Sequence, residues 1–423
     1  MKLKAKGRAP FAALILMLAF TLISCSQSGP IWRKGNMHTH SFWSDGDDFP
    51  ERVTRWYKEN GYDFLALTDH NVILKGERWR GIPNDHPALQ KYRETYGPDW
   101  VETQPAEEEG HTKVRLKTLQ EFRSLYEEPG EFLIIMGNEI TSPHAVHFLA
   151  FQQNKIIPVP QGSAEERIKM MRETVDNIAA YRAETGINVY PVLAHPNFRW
   201  AITAEMMLKL PTLRFFEVYN FSSECNNEGD KYRAGTERIW DIVLSQRLAS
   251  GNDQLLYGLA TDDTHNYHGG SSGPGKGWVM VRSTELNPEA ILSAMNTGDF
   301  YASSGVTVKN IQCDGKTIRI KIKPENDVSY KTEFIGTMQG FDSASMPATD
   351  AEGKEIPNTT RTYSPEIGRV LAESQSLNPV YTFTGRELYV RVRITSTADH
   401  IDPTTGEILG KQKAWVQPHI PRH

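Results

Sequence analysis

Short apolar runs of strand type alternate with helical stretches across residues 35–305. The clearest helix begins after Ser163, where Glu166 completes a capping box, and it ends at Gly186, a typical C-cap residue. Weaker amphipathic patterns predict further helices at 49–60, 116–126, 236–248 and 288–296. The predicted strands are Phe64–Leu67, Phe132–Met136, Phe148–Phe151, Val189–Ala194, Leu213–Val218, Leu255–Ala260 and Trp278–Val281. This α/β alternation indicates a parallel sheet, and its seven or eight repeats favour a distorted (β/α)7 TIM-like barrel.

The pattern changes after Gly305. Alternation of apolar and polar residues predicts strands within 306–323 and 387–396, while residues 339–377 are polar and rich in turn-forming residues. We therefore predict two domains, a barrel at 35–305 and a small all-β, sandwich-like C-terminal domain at 306–423.

The N-terminus has the pattern of an export signal. Basic residues up to Arg8 precede an apolar stretch at 11–23, which is shorter than the roughly 20 residues that a bilayer requires. It ends in Leu22-Ile23-Ser24-Cys25, which resembles the bacterial lipobox; the alternative is an ordinary secretory signal with a chance cysteine. We predict a lipoprotein signal peptide at 1–24, lipidation at Cys25 and a tether at 25–34. The product would be a membrane-anchored lipoprotein of a bacterial cell envelope. No acidic run follows Cys25, which favours the periplasm-facing side over the cell surface.

Without those 24 residues the chain has 43 basic against 52 acidic residues, a net charge of −9. It lacks a basic stripe, so no nucleic-acid partner is expected, and no obligate protein partner can be inferred. Cys225 and Cys313 remain besides the anchor; they could pair, but nothing in the sequence requires a disulfide.

Six histidines and three acids lie at or near the ends of the predicted strands. Neutral imidazole and carboxylate are ligands that suit Zn, Mn and Fe. The carboxyl ends of barrel strands meet on one face, so these side chains are expected to converge there. His147 fits less well, because it opens its apolar run instead of closing it. The candidates are His38, His40, Asp45, His70, Glu139, His147, His195, Asp263 and His265.

These motifs together resemble a known family. The quoted segments are His38-Thr39-His40, Ser44-Asp45-Gly46, Thr68-Asp69-His70-Asn71, Gly137-Asn138-Glu139, His195-Pro196 and Asp263-Thr264-His265. In this order they resemble the PHP (polymerase and histidinol phosphatase) superfamily of metal-dependent phosphoesterases, over residues 35–305. Phe300-Tyr301-Ala302-Ser303-Ser304-Gly305 resembles the segment that closes the domain in secreted members. The whole arrangement is similar to lipoproteins of Bacteroidetes.

The resemblance implies a distorted seven-stranded barrel that holds two or three divalent ions, Mn, Zn or Fe. His38, His40, Glu139 and Asp263 would hold one ion. Glu139 would bridge to a second ion, held also by His147 and His195, while Asp45, His70 and His265 would hold the third. His144 remains an alternative to His147, and Asp262 to Asp263.

The implied activity is hydrolysis of a small phosphorylated substrate, first of all a phosphomonoester, by a hydroxide that bridges two ions. Asp69 is a candidate for hydrogen bonding that supports a neighbouring ligand, or for carrying a proton. Arg199, His268 and Lys276 are candidate substrate contacts. Glu217 and Asn220 resemble a recurrent Glu-x-x-Asn stretch of the family.

Two alternatives stay open. A metal-dependent hydrolase of a phosphodiester or a non-phosphate bond would be favoured by a scarcity of Arg and Lys around the metals. A non-catalytic ligand-binding lipoprotein would be favoured by loss of ligand residues. The charged segment 72–114 is long for a connection, and it either lines the substrate entrance or is a surface excursion.

Overall fold

The structure, a computed structural model, describes residues 29–422. The predicted signal peptide and lipidated Cys25 lie outside these residues, as does the first part of the tether. Within 29–422, every helix is too short or too polar to cross a membrane.

Helices occupy all five predicted places. The predicted capping box forms at Ser163, whose backbone N–H donates to Glu166 Oε2 over 3.0 Å. Gly186 ends the helix at φ 71°. Two further helices of the described residues, Pro87–Tyr96 and Ala204–Leu208, were not predicted. The helices are α1 Pro50–Glu59, α2 Pro87–Tyr96, α3 Leu119–Tyr126, α4 Arg167–Thr185 after a 3₁₀ turn at Ala164–Glu166, α5 Ala204–Leu208, α6 Thr236–Ala249 and α7 Pro288–Asn296.

Between residues 29 and 305 the structure has twelve strands. They are β1 Ile31–Asn36, β2 Phe64–Leu67, β3 Arg78–Pro83, β4 Thr103–Pro105, β5 His111–Leu116, β6 Leu133–Ser142, β7 Val146–Phe151, β8 Val192–Leu193, β9 Phe215–Asn220, β10 Tyr257–Thr261, β11 Trp278–Ser283 and β12 Phe300–Ser303.

Nine of these strands are hydrogen-bonded into one sheet, in the order β10-β9-β8-β7-β6-β2-β1-β11-β12. Pairing is parallel at β10–β9, β9–β8, β6–β2 and β2–β1. It is antiparallel on both sides of β7, because β6 and β7 form a hairpin without a helical crossover. An isolated bridge between Thr39 and Thr264 joins the ends of β1 and β10. The described residues thus form an α/β fold around a large mixed sheet. This sheet is not a closed barrel, so the predicted TIM-like barrel is not confirmed.

After residue 305 the described strands are β13 Val308–Cys313, β14 Thr317–Ile322, β15 Tyr330–Met338, β16 Ser345–Met346, β17 Thr362–Tyr363, β18 Arg369–Ser374, β19 Val380–Thr382, β20 Glu387–Ile401 and β21 Ile408–His419. The sheet of the α/β part continues into this region, since β21 pairs with β12 and is followed by β20, β15 and β18. A three-stranded sheet, β13-β14-β19, packs its isoleucines against β20, which makes two facing layers. The domain boundary at residue 305 stays a prediction.

Both Cys225 and Cys313 are free thiols, so the two do not form a disulfide with each other.

Residues 72–114 fold as part of the core. They contribute α2 and the sheet β3-β5-β4, and the ring of Tyr92 stacks on Phe49 with centroids 3.6 Å apart. Just beyond them, the carbonyl of Lys117 accepts a hydrogen bond from Trp43 Nε1 over 3.1 Å. The segment therefore supports the chain that leads to Asp45.

A carboxyl group is buried beneath this segment. Glu51 Oε1 accepts hydrogen bonds from the Tyr92 hydroxyl (2.6 Å) and Trp100 Nε1 (3.0 Å), while Oε2 has no partner among the described residues. Burial raises the pKa of Glu51 to about 7, against the opposing effect of the Tyr92 hydrogen bond.

We expect Glu51→Gln to stabilise the protein above pH 7. The ordinary pKa of 4.5 is that of Glu51 in the unfolded chain, so the contribution of this group to stability is full below pH 4.5 and is lost as the pH rises through 7. Glutamine avoids that loss, and the free energy of unfolding at pH 8 should rise by up to about 3 kcal/mol. Urea denaturation at pH 8 and pH 4.5 measures this, with the exposed Glu94→Gln as control. An equal change at both pH values would contradict the explanation.

Candidate metal centre

The nine candidate ligands converge at one edge of the sheet. The backbone places them there because parallel strands present their carboxyl ends on the same side. His38 and His40 follow β1, and His70 follows β2; Glu139 lies in β6, His147 in β7; His195 follows β8, and Asp263 and His265 follow β10, while Asp45 lies on the turn after His40.

The position of His147 follows from the direction of β7. This strand runs antiparallel to β6 and β8, so its first residues lie at the edge of the sheet where β6 and β8 end. That is why His147 opens an apolar run and still reaches the other ligands. His144 lies in the turn before β7 with φ 61° and is outside the ligand groups.

The Glu139 carboxylate is the centre of the arrangement, and it is buried. Its Oε1 lies 3.0 Å from both His147 Nδ1 and His195 Nε2. Its Oε2 lies 2.7 Å from His70 Nδ1, 3.4 Å from His38 Nε2 and 3.5 Å from His40 Nε2. Five imidazoles therefore surround one carboxylate, each oxygen of which faces a different set.

Two further carboxylates complete the centre. Asp263 Oδ1 lies 3.2 Å from His38 Nε2 and 3.1 Å from His40 Nε2. Asp45 lies at the open side, 3.4 Å from His70 Nε2 and 3.5 Å from His265 Nε2. The potential ligands fall into four overlapping groups: His40, Asp45, His70 and His265; His38, His40 and Glu139; His38, His195 and Asp263; and Glu139, His147 and His195.

This geometry fits divalent ions. Two donor atoms that bind the same ion at about 2.1 Å, with an angle of roughly 90–110° at the ion, lie about 3.0–3.4 Å apart. The separations between the candidate ligand atoms are close to this range. The buried atoms His38 Nε2 and Glu139 Oε2 lie close to other candidate ligand atoms, but no described residue meets them in hydrogen-bond geometry. Mixed imidazole and carboxylate donors suit Zn, Mn or Fe.

The electrostatics show which groups would exchange protons for metal. Burial lowers the pKa of His40 to about 3, helped by the nearby His265 and His70. Burial also acts to lower the pKa of His70 and His265. Glu139 and Asp45 outweigh it at His70 and raise the pKa to about 11, and Asp45 and Asp263 outweigh it at His265 and raise the pKa to about 9. Metal ligation requires neutral rings, so binding would displace those protons.

Glu217 and Asn220 hold the ligands from behind. Glu217 Oε1 lies 2.7 Å from His38 Nδ1 and accepts from Thr261 Oγ1 over 2.7 Å, and Oε2 accepts from the His195 backbone N–H over 2.7 Å. Asn220 Nδ2 donates to Glu217 Oε2 (2.8 Å) and to Asp263 Oδ2 (3.1 Å). An outer partner of this kind fixes ring orientation.

Asp69 fastens the turn that carries Asp45. Its carboxylate accepts hydrogen bonds from the Ser41 N–H (2.8 Å), the Ser41 hydroxyl (2.9 Å) and the Ser44 hydroxyl (2.8 Å). Burial raises the pKa of Asp69 to about 6 in spite of these donors. Sequence reasoning missed Ser41 as part of this support, since a lone serine carries no periodic signal.

Asp262 faces away from the centre. Its carboxylate accepts from the N–H groups of Gly275, Lys276 and Gly277 at 2.8, 2.7 and 2.7 Å. Asp263 has φ 50°, so the chain turns between the two acids and directs only Asp263 to the other ligands.

A cavity of about 380 Å³ opens onto the ligands. Four serines form one side of it: the Ser222 and Ser272 hydroxyls lie 3.1 Å apart, and those of Ser223 and Ser271 lie 2.9 Å apart. Of the described residues, none that lines this cavity is lysine or arginine. In the sequence, the one sign that these serines could face the site is that they lie in the loops that follow β9 and β10.

None of the three candidate substrate contacts is among the described residues that line this cavity. Arg199 is 72% exposed, pairs with Glu224 over 3.3 Å and covers the Phe198 ring, in an adjoining cavity that shares His147 and Phe198. His268 is nearly buried, 3.1 Å from Asp48 Oδ2. Lys276 is buried too, and its Nζ donates to the carbonyl of Ser271.

Comparisons with known proteins give weak structural likeness alone. No protein-family model and no curated protein matches the chain. One similar solved structure is a two-domain protein from Bacteroides vulgatus containing a predicted PHP-like metal-dependent phosphoesterase; identity is 14%, coverage 91% of this chain and 94% of that one, and the TM-score 0.39. Another, from Bifidobacterium adolescentis, was assigned provisionally as a metal-dependent phosphoesterase; identity is 14%, coverage 57% and 89%, and the TM-score 0.28. Likeness at these scores assigns no function to this chain.

We expect Glu217→Gln to weaken metal binding without unfolding the protein. The amide is nearly isosteric but removes the negative charge beside His38 Nδ1, and loss of such an outer partner typically costs 10–100-fold in metal affinity. Calorimetric titration with Mn²⁺ and Zn²⁺ measures the change, and thermal unfolding without metal checks the fold. Glu224→Gln, at the cavity rim, is the matched control and should stay within twofold of wild type. Equal affinities for both variants would remove Glu217 from this role.

Proposed function

We propose that this protein is a metal-dependent phosphoesterase that hydrolyses a small phosphorylated compound, most readily a phosphomonoester, with two or three divalent ions of Mn, Zn or Fe. The observation that carries the proposal is the buried Glu139 carboxylate, which is shared between two sets of histidines. A bridging carboxylate between neighbouring ions suits the chemistry of two-metal hydrolysis.

Charge supports the requirement for cations. Asp45, Glu139 and Asp263 face the cavity side, and Glu217 lies directly behind. An anionic substrate would be repelled by these carboxylates unless divalent ions outweighed them. When bound, such ions lower the pKa of coordinated water and offset the charge that develops on a phosphoryl group.

The chain's own residues would bind and orient. Glu217 and Asn220 fix the rings and the Asp263 carboxylate in ligating positions. Asp69 is fully buried and engaged by two serines, which supports a positioning role over that of a proton carrier.

The cavity wall supports an uncharged, hydroxyl-bearing leaving group. Four serine hydroxyls face the cavity, and they can donate and accept hydrogen bonds with a sugar or polyol. No lysine or arginine among the described lining residues offers a counter-charge to a second anionic group inside the cavity. Sugar and polyol phosphates therefore suit the site best.

The same lack of cations favours a second candidate function. A metal-dependent hydrolase of a non-phosphate bond needs no arginine to hold its substrate, and the cavity lining agrees with that. A phosphodiesterase is a further variant, since the adjoining cavity at Phe198 and Arg199 could hold a second substituent. A non-catalytic lipoprotein is disfavoured, because all nine positions carry residues able to bind metal and converge.

A lipid anchor at Cys25 remains part of the proposal and rests on the sequence Leu22-Ile23-Ser24-Cys25. The substrate would then be met outside the cytoplasm, on the periplasmic side. In a bacterial host supplied with labelled palmitate, the wild-type protein should become labelled and Cys25→Ala should not, as seen after immunoprecipitation. Absence of label from the wild-type protein would remove the anchor from the proposal.

Phosphate release tests the activity itself. We expect residues 26–423, reconstituted with Mn²⁺, to hydrolyse sugar and polyol phosphates, and Asp263→Asn to lose at least a hundredfold in kcat/KM, because a ligand charge is removed. The exposed Glu94→Gln serves as the control. Silence towards phosphomonoesters with metal bound would transfer the assignment to phosphodiesters and then to non-phosphate esters and amides. Absence of metal binding would overturn the enzyme proposal.

A further inference from the structure

The loop after His265, residues 266–277, forms one side of the metal cavity. The carbonyl of Ser272 accepts hydrogen bonds from the N–H groups of His265 (3.0 Å) and Asn266 (3.1 Å). Ser271 and Ser272 also face Ser222 and Ser223 across the cavity wall. The position of this loop therefore affects both a candidate ligand and the serine wall.

The connection between β20 and β21 is seated on this loop, although it comes from the C-terminal region. A Cβ at Gly273 would lie 2.5 Å from Thr404 Oγ1, and one at Gly275 would lie 2.9 Å from Pro403 Cγ. The two segments are thus in direct contact, and the glycines permit the close approach.

A buried ion pair joins the same two segments. Lys276 Nζ lies 3.4 Å from Asp402 Oδ2, and the side chains are 1% and 3% exposed. Lys276 Nζ also donates to the Ser271 carbonyl over 2.5 Å, while Asp402 Oδ1 accepts from the Thr404 N–H over 2.8 Å. The pair links the serine-bearing part of the loop to the tip of the hairpin.

Neighbouring contacts extend this attachment. The ring of the buried His400 packs edge-on against Phe221, 4.8 Å between centroids, and a Cβ at Gly277 would lie 2.4 Å from Phe221 Cδ2. On the opposite side of the loop, Asp262 accepts the three backbone N–H groups of residues 275–277. The loop is held from both sides.

We propose that the β20–β21 hairpin is a clamp that holds the loop 266–277 in its place beside the metal centre, with Asp402 as a positioning residue acting through Lys276. This gives the C-terminal region a part in catalysis. The consequence for activity rests on the proposed function, whereas the clamp itself does not.

Amide hydrogen exchange tests the clamp in the metal-free, full-length protein. In Asp402→Asn, we expect exchange at residues 271–277 to accelerate at least tenfold, because Lys276 loses its counter-charge. Asp399→Asn is the matched control: it removes the partner of Lys411, an exposed pair 2.6 Å apart on the same hairpin. Equal exchange in the two variants would overturn the clamp.

A steric pair of variants gives a second test and guards against simple misfolding. Gly273→Ala places a methyl group against Thr404, and we expect it to raise KM at least fivefold and to weaken Mn²⁺ binding, with a smaller change in kcat. Thr404→Gly removes all three nearest atoms, so the double variant should return to within twofold of Thr404→Gly alone. A merely structural contact would change the unfolding midpoint but leave KM and Mn²⁺ affinity unaltered.

The outcomes separate the two proposals. If wild type neither binds metal nor hydrolyses phosphate esters, the proposed function fails, while faster exchange in Asp402→Asn alone still supports the clamp. If wild type is active and Gly273→Ala is equally active, with no change in exchange for Asp402→Asn, the clamp fails and the proposed function stands.

Discussion

The structure depends on one constraint, the burial of the Glu139 carboxylate among five imidazoles at the edge of the sheet. An ionised carboxylate is costly to bury unless positive charge lies beside it. Protonated histidines can supply that charge in the metal-free protein, where Glu139 has a pKa well below its usual range against the effect of burial. Divalent ions can supply it instead, and they leave the rings neutral.

Three further buried carboxylates do not line the metal cavity but hold the segments that form it. Glu217 holds His38 and the backbone at His195, Asp69 holds the turn before Asp45, and Asp262 holds the loop after His265. Each accepts several short hydrogen bonds at once, which restricts the backbone more than a single contact does. The arrangement suits a site whose ligands must keep fixed distances.

The sequence predicted that the candidate ligands would converge, because residues at the ends of parallel strands share one edge of a sheet. It did not predict that β7 would be antiparallel, since a hairpin between two apolar runs has the same local pattern as two strands joined by a crossover. His147 therefore looked misplaced until the direction of its strand was known. The barrel was expected from the number of strand–helix repeats. That number does not determine how the edges of the sheet meet, so closure could not be predicted from it.

Lys276 shows where local reasoning fails. Its position in a glycine-rich loop after Asp263 suggested a cation for substrate, yet its partner, Asp402, comes from a distant hairpin that no spacing rule could place there. The ion pair buries the positive charge away from the cavity lining and joins the loop 266–277 to the β20–β21 hairpin. The buried lysine therefore helps to position Ser271 and Ser272, which do line the cavity, and it offers no positive charge to a molecule held there.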